Sequence, residues 1–207
     1  MSRSKNSSST SDMKRIVLVL LLIPLFLSAS AQKGSEWRYY ETTLQYVPMV
    51  LDLGLGALGA QTSAPVLDRA LALGSTAIIV SLSVNALLKN VVKEERPDGS
   101  AFNSFPSGHT TLAFAGAELL RRHYGNAWGA LGYSMAIGVG IGRVIHNRHW
   151  WWDCVAGAGI GIGSAALGSL CVKPIKQLFG LGDSNLTMVP AVDPVSGALC
   201  ANICWTF

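Results

Sequence analysis

The sequence is short of charge, and the charges it has form no pattern typical of nucleic-acid binding. Only 14% of its 207 residues are charged, whereas an average soluble domain carries about 25%. The net charge is +4, but the basic residues are dispersed and form no lysine- or arginine-rich stripe with interleaved aromatics. The sequence therefore lacks the usual pattern of a nucleic-acid surface, and its positive balance indicates a membrane surface or an anionic substrate.

Cysteines are also few, and their spacing excludes a CxxC pair or a zinc site. Cys154 and Cys171 fall on one predicted helix, about 25 Å apart at 1.5 Å per residue, which is too far for a disulfide. A bridge between Cys200 and Cys204 requires a sharp turn in the tail, so that pairing stays open. Burial as four small thiols is the simpler interpretation.

Apolar residues and glycine, in contrast, are abundant. Hydrophobic residues make up 50% of the chain, and there are 22 glycines. Abundant glycine with few charges is typical of closely packed membrane helices. A small, tightly packed soluble bundle would share this composition, so both classes remain open on composition alone.

Residues 1–31 are predicted to form an N-terminal extension and a signal peptide. Two basic residues precede an apolar run at 16–27, which is followed by an A-x-A site at 29–31, as in secretory signals. The alternative is an uncleaved first membrane anchor, but 12 residues are few for a span that needs about 20. Either Met1 or Met13 can be the start.

The predicted helical domain covers residues 32–180. Several of its apolar runs approach the length of about 20 residues that crosses a bilayer. We therefore predict an all-α helical bundle, embedded in a membrane, with five or six helices. The main runs are 70–88, 107–120, 126–142 and 154–172, and the helical region is expected to end at Lys173 and Pro174. The remaining residues, 181–207, form a tail in which a Pro-Val-Ser-Gly turn predicts a β-hairpin.

Polar residues cluster where the predicted helices end, and three of them are cations: Lys89, Arg96 and Arg143. If consecutive helices run antiparallel, as short connections favour, these side chains arrive at one end of the bundle. Three buried like charges repel unless an anion lies between them. Two guanidinium forks and an ammonium suit a tetrahedral phosphate. The alternative is that each cation forms a surface ion pair with a nearby acidic residue.

Two further groups of residues add the chemistry of phosphate transfer. Ser107 and Gly108 open a predicted helix, whose free N–H groups and dipole can hold phosphate oxygens. His149 and Asp153 are four apart, which predicts one helical face; the carboxylate can orient the imidazole while its other nitrogen attacks phosphorus. His109 can then protonate the departing oxygen. No ring of metal ligands accompanies them, so the sequence predicts no metal site, and the cations would stabilise charge instead.

These residues, in this order, resemble the type 2 phosphatidic acid phosphatase superfamily, which includes bacterial non-specific acid phosphatases and vanadium haloperoxidases. The first family motif, K-x6-RP, is matched by Lys89 and Arg96-Pro97, and the second, PSGH, by residues 106–109. The third, SR-x5-H-x3-D, is matched except that Gly142 replaces the serine. The resemblance covers residues 70–172.

The resemblance implies an all-α bundle with its phosphate site at one end and without a cofactor. It implies a phosphohistidine at His149 and acid–base catalysis by His109. Phosphate binding is implied for Lys89, Arg96, Ser107, Gly108 and Arg143.

The expected function is a metal-independent phosphatase of lipid phosphates or diphosphates in a bacterial inner membrane, with the membrane and a lipid phosphate as its partners. Basic residues at the opposite helix ends predict that the site faces the periplasm. Trp150, Trp151 and Trp152 resemble an interfacial aromatic belt, although core packing is an equal alternative. Other possible functions are a soluble periplasmic acid phosphatase, a vanadate haloperoxidase and a catalytically silent membrane protein.

Overall fold

The computed structural model describes residues 42–181, 185–192 and 199–206, the last two ranges by their backbone alone. The predicted signal peptide, both possible starts and the Pro-Val-Ser-Gly turn of the tail lie outside the described residues.

The described part of the chain is a helical bundle, as predicted. Its long helices are α1 (Val47–Ala57), α2 (Val66–Val91), α3 (Gly108–Tyr124), α4 (Asn126–Ile145) and α5 (Trp151–Leu178). Within α2, the segment Ser81–Leu88 is a π-helix. In the tail, β1 (Asn185–Val192) pairs antiparallel with β2 (Leu199–Thr206).

Three of the helices are long and apolar enough to cross a bilayer. These are α2, α4 and α5, with 26, 20 and 28 residues, against the roughly 20 that a span requires. Between 28% and 44% of their most apolar segments are buried inside the bundle. Most of that apolar surface therefore points outward, which is the arrangement expected where lipid chains replace water.

Helix α3 lies at the centre of the bundle and is shorter than the three candidate spans. Ten of its 17 residues are buried, and it packs against α1, α4 and α5. A helix surrounded by other helices does not need a lipid-facing apolar surface. It can therefore carry Glu118, which is 3% exposed and accepts hydrogen bonds from Arg121, Arg122 and Tyr133 at 2.6–2.8 Å.

Glycines allow α5 to approach its neighbours closely. A Cβ at Gly168 would lie 2.2 Å from Thr76 Oγ1 and 2.8 Å from the Thr76 nitrogen on α2. A Cβ at Gly161 would lie 2.3 Å from the Thr111 carbonyl oxygen on α3. Both distances are far below van der Waals contact, so glycine is required where these backbones meet.

The predicted end of the last helix at Lys173 and Pro174 is wrong, because α5 continues through Pro174 to Leu178. Proline removes one N–H donor from the helix, but a tertiary contact fixes the final turn. Lys176 is 8% exposed, and its Nζ donates to Asp68 Oδ1 on α2 at 3.1 Å.

A buried polar cluster ties α1, α2 and α3 together at the end of the bundle where α3 ends. His123 Nδ1 lies 2.7 Å from Asp52 Oδ1, and the Tyr124 hydroxyl donates to the Asp52 carbonyl at 2.8 Å. Arg69 Nη1 donates to the same carbonyl and to the Tyr124 hydroxyl. The cluster holds the start of α2 and the end of α3 together. The other ends of these two helices carry Lys89 and Gly108.

The glycine contacts generate a test of the packing. Gly168→Ala should lower the free energy of unfolding by about 1–3 kcal/mol, because the added methyl overpacks the contact with the α2 backbone. Gly163→Ala is the matched control on the same helix, where a Cβ would meet nothing within 4 Å. It should leave stability unchanged or raise it by up to about 1 kcal/mol through helix propensity. Thermal unfolding of both variants in one detergent compares them, and equal shifts would contradict the packing.

Candidate active site

The structure brings the predicted site residues to one end of the bundle, where α2 and α4 end and α3 and α5 begin. The backbone N–H of Ser107 donates to the Asp153 carbonyl at 3.1 Å, which joins the starts of α3 and α5. Lys89, in the last turn of α2, places its Nζ 4.0 Å from the position of a Cβ on Gly108. The ammonium group therefore lies over the first turn of α3.

The three predicted cations form one electrostatic group. Arg143 is 6% exposed. Its positive charge acts on both Lys89 and Arg96. Burial and the charge of Arg143 lower the pKa of the Arg96 guanidinium below its ordinary value, in spite of the opposing charge of Asp98. A group of mutually repelling cations around one space stabilises a bound anion.

His149 and Asp153 are both buried, but they do not share a helical face as predicted. Helix α5 begins at Trp151, so His149 precedes it and reaches Asp153 across the turn. The distance from His149 Nδ1 to Asp153 Oδ2 is 3.5 Å, which is beyond a good hydrogen bond. The same Oδ2 instead accepts from the Trp150 N–H at 2.9 Å and from the Ser104 hydroxyl at 2.5 Å.

Helix α5 starts at Trp151 because the Asp153 side chain accepts a hydrogen bond from the N–H of Trp150, the residue that precedes the helix. A carboxylate in the first turn also favours the positive end of the helix dipole. The preceding turn is fixed by Asn147, whose φ of 52° is left-handed. The backbone N–H groups of Arg148 and His149 donate to the Arg143 carbonyl at 3.0 and 3.3 Å, so the His149 backbone is held against the end of α4.

The protonation state of His149 follows from its surroundings. Its side chain is 2% exposed. Burial, followed by the positive charges of Arg143 and Arg96, lowers its pKa to about 3. Both causes disfavour the imidazolium form. The ring is therefore neutral near pH 7, which is the state that a nucleophilic imidazole requires.

The first turn of α3 carries the predicted phosphate-binding residues of the second motif. Ser107 is the N-cap residue, as expected, but its hydroxyl lies 2.9 Å from Thr110 Oγ1 and makes no capping hydrogen bond. Gly108 and the half-buried His109 follow as the first two residues of the helix. The start of a 17-residue helix therefore lies beside Lys89 and next to Asp153.

Sequence reasoning missed two polar residues in the loop between α2 and α3. Ser104 is fully buried. Its hydroxyl donates to Asp153, and its backbone N–H donates to the Glu94 carbonyl at 2.9 Å. Asn103 Oδ1 accepts from Arg96 Nε at 3.0 Å. Both lie between the first two motifs, where no spacing marks them. Their only signal is a pair of polar residues between two phenylalanines.

The tryptophans connect that loop to α5. Trp150 Nε1 donates to the Glu95 carbonyl at 2.9 Å, and Trp152 Nε1 donates to Glu94 Oε1 at 2.8 Å. The rings of Trp150 and Trp152 stack with centroids 5.1 Å apart. All three tryptophans remain at least 37% exposed, so they are surface residues and core packing is not their role. Trp150 and Trp152 anchor the loop that carries Arg96.

Comparison with known proteins identifies the family. The model of the PAP2 superfamily matches residues 69–176, which is just over half of the chain and includes every predicted site residue. The chain belongs to the PAP2 superfamily. This is the family that the three sequence motifs predict.

One curated protein and one solved structure are similar to parts of the chain. A lipid A 1-phosphatase of Porphyromonas gingivalis is 47% identical over 76 residues, which cover 35% of this chain and 17% of that protein. The chain thus matches less than a fifth of the length of this relative. The crystal structure of Aquifex aeolicus LpxE aligns with a TM-score of 0.47 and 24% identity, covering 70% of this chain and 93% of LpxE.

The electrostatics of this PAP2 site can be tested by titrating His149. Because its pKa is about 3, the His149 ring should stay neutral from pH 7 to pH 4, and charge only as the pH falls towards 3. Arg96→Met should raise that pKa, since it removes one of the repelling cations. Arg122→Met, at the far end of α3, should leave it unchanged. Histidine NMR measures the titration, with His149→Gln to assign the resonance. A midpoint near 6.5 in the unmodified protein would contradict the lowered pKa of His149.

Proposed function

We propose that the chain is a phosphatase that hydrolyses the phosphate monoesters of membrane lipids through a phosphohistidine at His149. The observation that carries the proposal is the combination of a buried, neutral imidazole with three converging cations and a neighbouring carboxylate. The cations attract a phosphate dianion, and the imidazole can attack it without first losing a proton. Either feature alone is common in proteins, but together they suit phosphoryl transfer.

In the first half of the reaction, Lys89, Arg96 and Arg143 would hold the phosphate oxygens, with the N–H groups at the start of α3. His149 Nδ1 faces Asp153, so Nε2 is the atom that attacks phosphorus. As the N–P bond forms, the bond to the leaving oxygen breaks. His109 donates the proton that this oxygen requires. The positive charge that develops on the imidazole is stabilised by the Asp153 carboxylate.

In the second half, water replaces the leaving alcohol. His109, now neutral, removes a proton from the water, whose oxygen attacks phosphorus as the N–P bond breaks. Inorganic phosphate leaves, His149 returns to its neutral form and His109 carries the proton again. The three cations act in both steps, because in each step negative charge spreads over the same equatorial oxygens of the phosphoryl group.

A lipid substrate is supported by the outward apolar faces of α2, α4 and α5 and by the exposed tryptophans beside the site. The similarity to a lipid A 1-phosphatase points the same way. A soluble acid phosphatase would have to expose those apolar faces to water. Arg121 and Arg122 lie at the opposite end of the bundle, and a cytoplasmic location for these two basic residues would put the site on the periplasmic side.

The phosphohistidine predicts a specific loss of activity. His149→Gln should reduce phosphate release from a lipid phosphate by about a thousandfold or more, because no other group replaces the nucleophile. His146→Gln is the matched control in the same turn and should retain activity within about tenfold. Phosphate release is measured on purified protein in detergent. Equal losses in both variants would contradict the assignment.

The covalent intermediate can be observed directly. Brief incubation with 32P-labelled substrate, followed by alkaline quenching, should leave label on the unmodified protein and none on His149→Gln. Phosphohistidine is stable to base and labile to acid, so acid should remove the label. Label that resists acid would indicate a different nucleophile.

The reaction should not need a divalent metal, because the three cations supply the positive charge. Incubation with EDTA, followed by removal of the chelator, should leave the rate of phosphate release within about twofold of the untreated enzyme. A loss that Mg²⁺, Mn²⁺ or Zn²⁺ restores would contradict this prediction.

A further inference from the structure

An open apolar groove lies beside the candidate site, between α3, α4 and α5. Its volume is about 370 Å³, within the range of small-ligand pockets. The residues that line it from α4 and α5 recur at intervals of three and four, so each helix contributes one continuous face. They include Ile137, Ile141 and Val144 on α4 and Trp151, Val155 and Ala158 on α5.

The groove starts at the phosphate site. Thr110, which lines it, has its hydroxyl 2.9 Å from the hydroxyl of Ser107. Cys154, another lining residue, directly follows Asp153, and Gly140 lies three residues before Arg143 on α4. The lining of the groove therefore adjoins the residues of the candidate site, and a molecule with its phosphate among the cations can extend into the groove.

We propose that this groove binds the hydrocarbon chain of the phosphate substrate and so selects lipid phosphates over water-soluble ones. The inference rests on the proposed phosphatase function. The seven steps from Ile137 to Val144, at 1.5 Å each, give a groove length of about 10 Å. The groove thus covers the first part of a long chain, and the remainder extends into the bilayer.

Position and charge favour the substrate chain over a protein partner. The groove opens on faces of α4 and α5 where Ile141 is 54% and Val155 63% exposed, and both helices are candidate membrane spans. Such faces meet hydrocarbon chains in a bilayer. The end next to Arg143 is positive and the rest is apolar, which matches one molecule with an anionic phosphate and an apolar chain.

The chain-length dependence of hydrolysis tests the inference. Butyl, hexyl and octyl phosphate, each below its micelle-forming concentration, would be supplied to the protein in lipid nanodiscs. For the unmodified protein, kcat/KM should rise from butyl to octyl phosphate, by up to about fourfold per methylene. If kcat/KM does not change with chain length, bulk membrane lipid fills the groove and the inference is overturned.

Two substitutions at one position connect that dependence to the groove. Val155→Trp fills the groove and Val155→Ala removes part of its wall, so both should lower the ratio of octyl to butyl phosphate kcat/KM by about fivefold or more. Leu170→Trp is the control, since Leu170 lies on the same helix, is 70% exposed and does not line the groove. It should keep the ratio of the unmodified protein.

The outcomes separate the two proposals. If the Val155 variants keep the ratio of the unmodified protein, the groove does not bind the chain, although the phosphatase function stands. If the unmodified protein hydrolyses none of the three phosphates and no lipid phosphate, the proposed function itself fails and the inference fails with it.

Discussion

The Asp153 carboxylate is the interaction on which the candidate site depends. One of its oxygens accepts from Ser104 in the loop after α2 and from the Trp150 N–H at the start of α5, and lies 3.5 Å from His149 Nδ1. A buried carboxylate is costly unless donors surround it, and these donors come from separate parts of the chain. This oxygen can be satisfied only when the loop, the turn before α5 and the start of α5 are all in place. The loop that carries Arg96 and the turn that carries His149 are thereby positioned together.

The same cations that can bind phosphate also control the histidine. Arg143 and Arg96 disfavour a positive charge on His149, so the ring stays neutral while the site is open. In the proposed mechanism, the charge of an entering phosphate dianion offsets the cations, and the imidazole can then accept the positive charge that bond formation places on it. Binding the substrate therefore changes the electrostatic balance in the direction that the reaction requires. In the proposed reaction, a single group of charges would both keep His149 neutral and stabilise the product of its attack.

The sequence predicts most of the site because its residues lie at helix ends, and helix ends can be recognised from where apolar runs stop. Lys89, Gly108 and Arg143 each adjoin such an end, and antiparallel connection is enough to bring them together. Ser104 could not be predicted in this way, because it lies in an irregular loop where no periodicity fixes its direction. The extension of α5 past Pro174 was missed for a different reason. Lys176 and Asp68 are 108 residues apart, and a contact at that separation leaves no local signal.

The π-helical segment of α2 shows how local geometry aims a side chain that the sequence can only place along the chain. Val84 Cγ1 and Lys89 Nζ both approach the Cβ position of Gly108, at 3.8 and 4.0 Å. In an α-helix, residues five apart point about 140° away from each other. A π-helix bonds residue i to i+5 and brings such residues onto one face, and Ser81–Leu88 is π-helical over this stretch. Leu82 and Leu87, which are 59% and 58% exposed, keep an apolar surface outside. The helix can thus turn its lysine towards the start of α3 while its outer face remains suited to lipid.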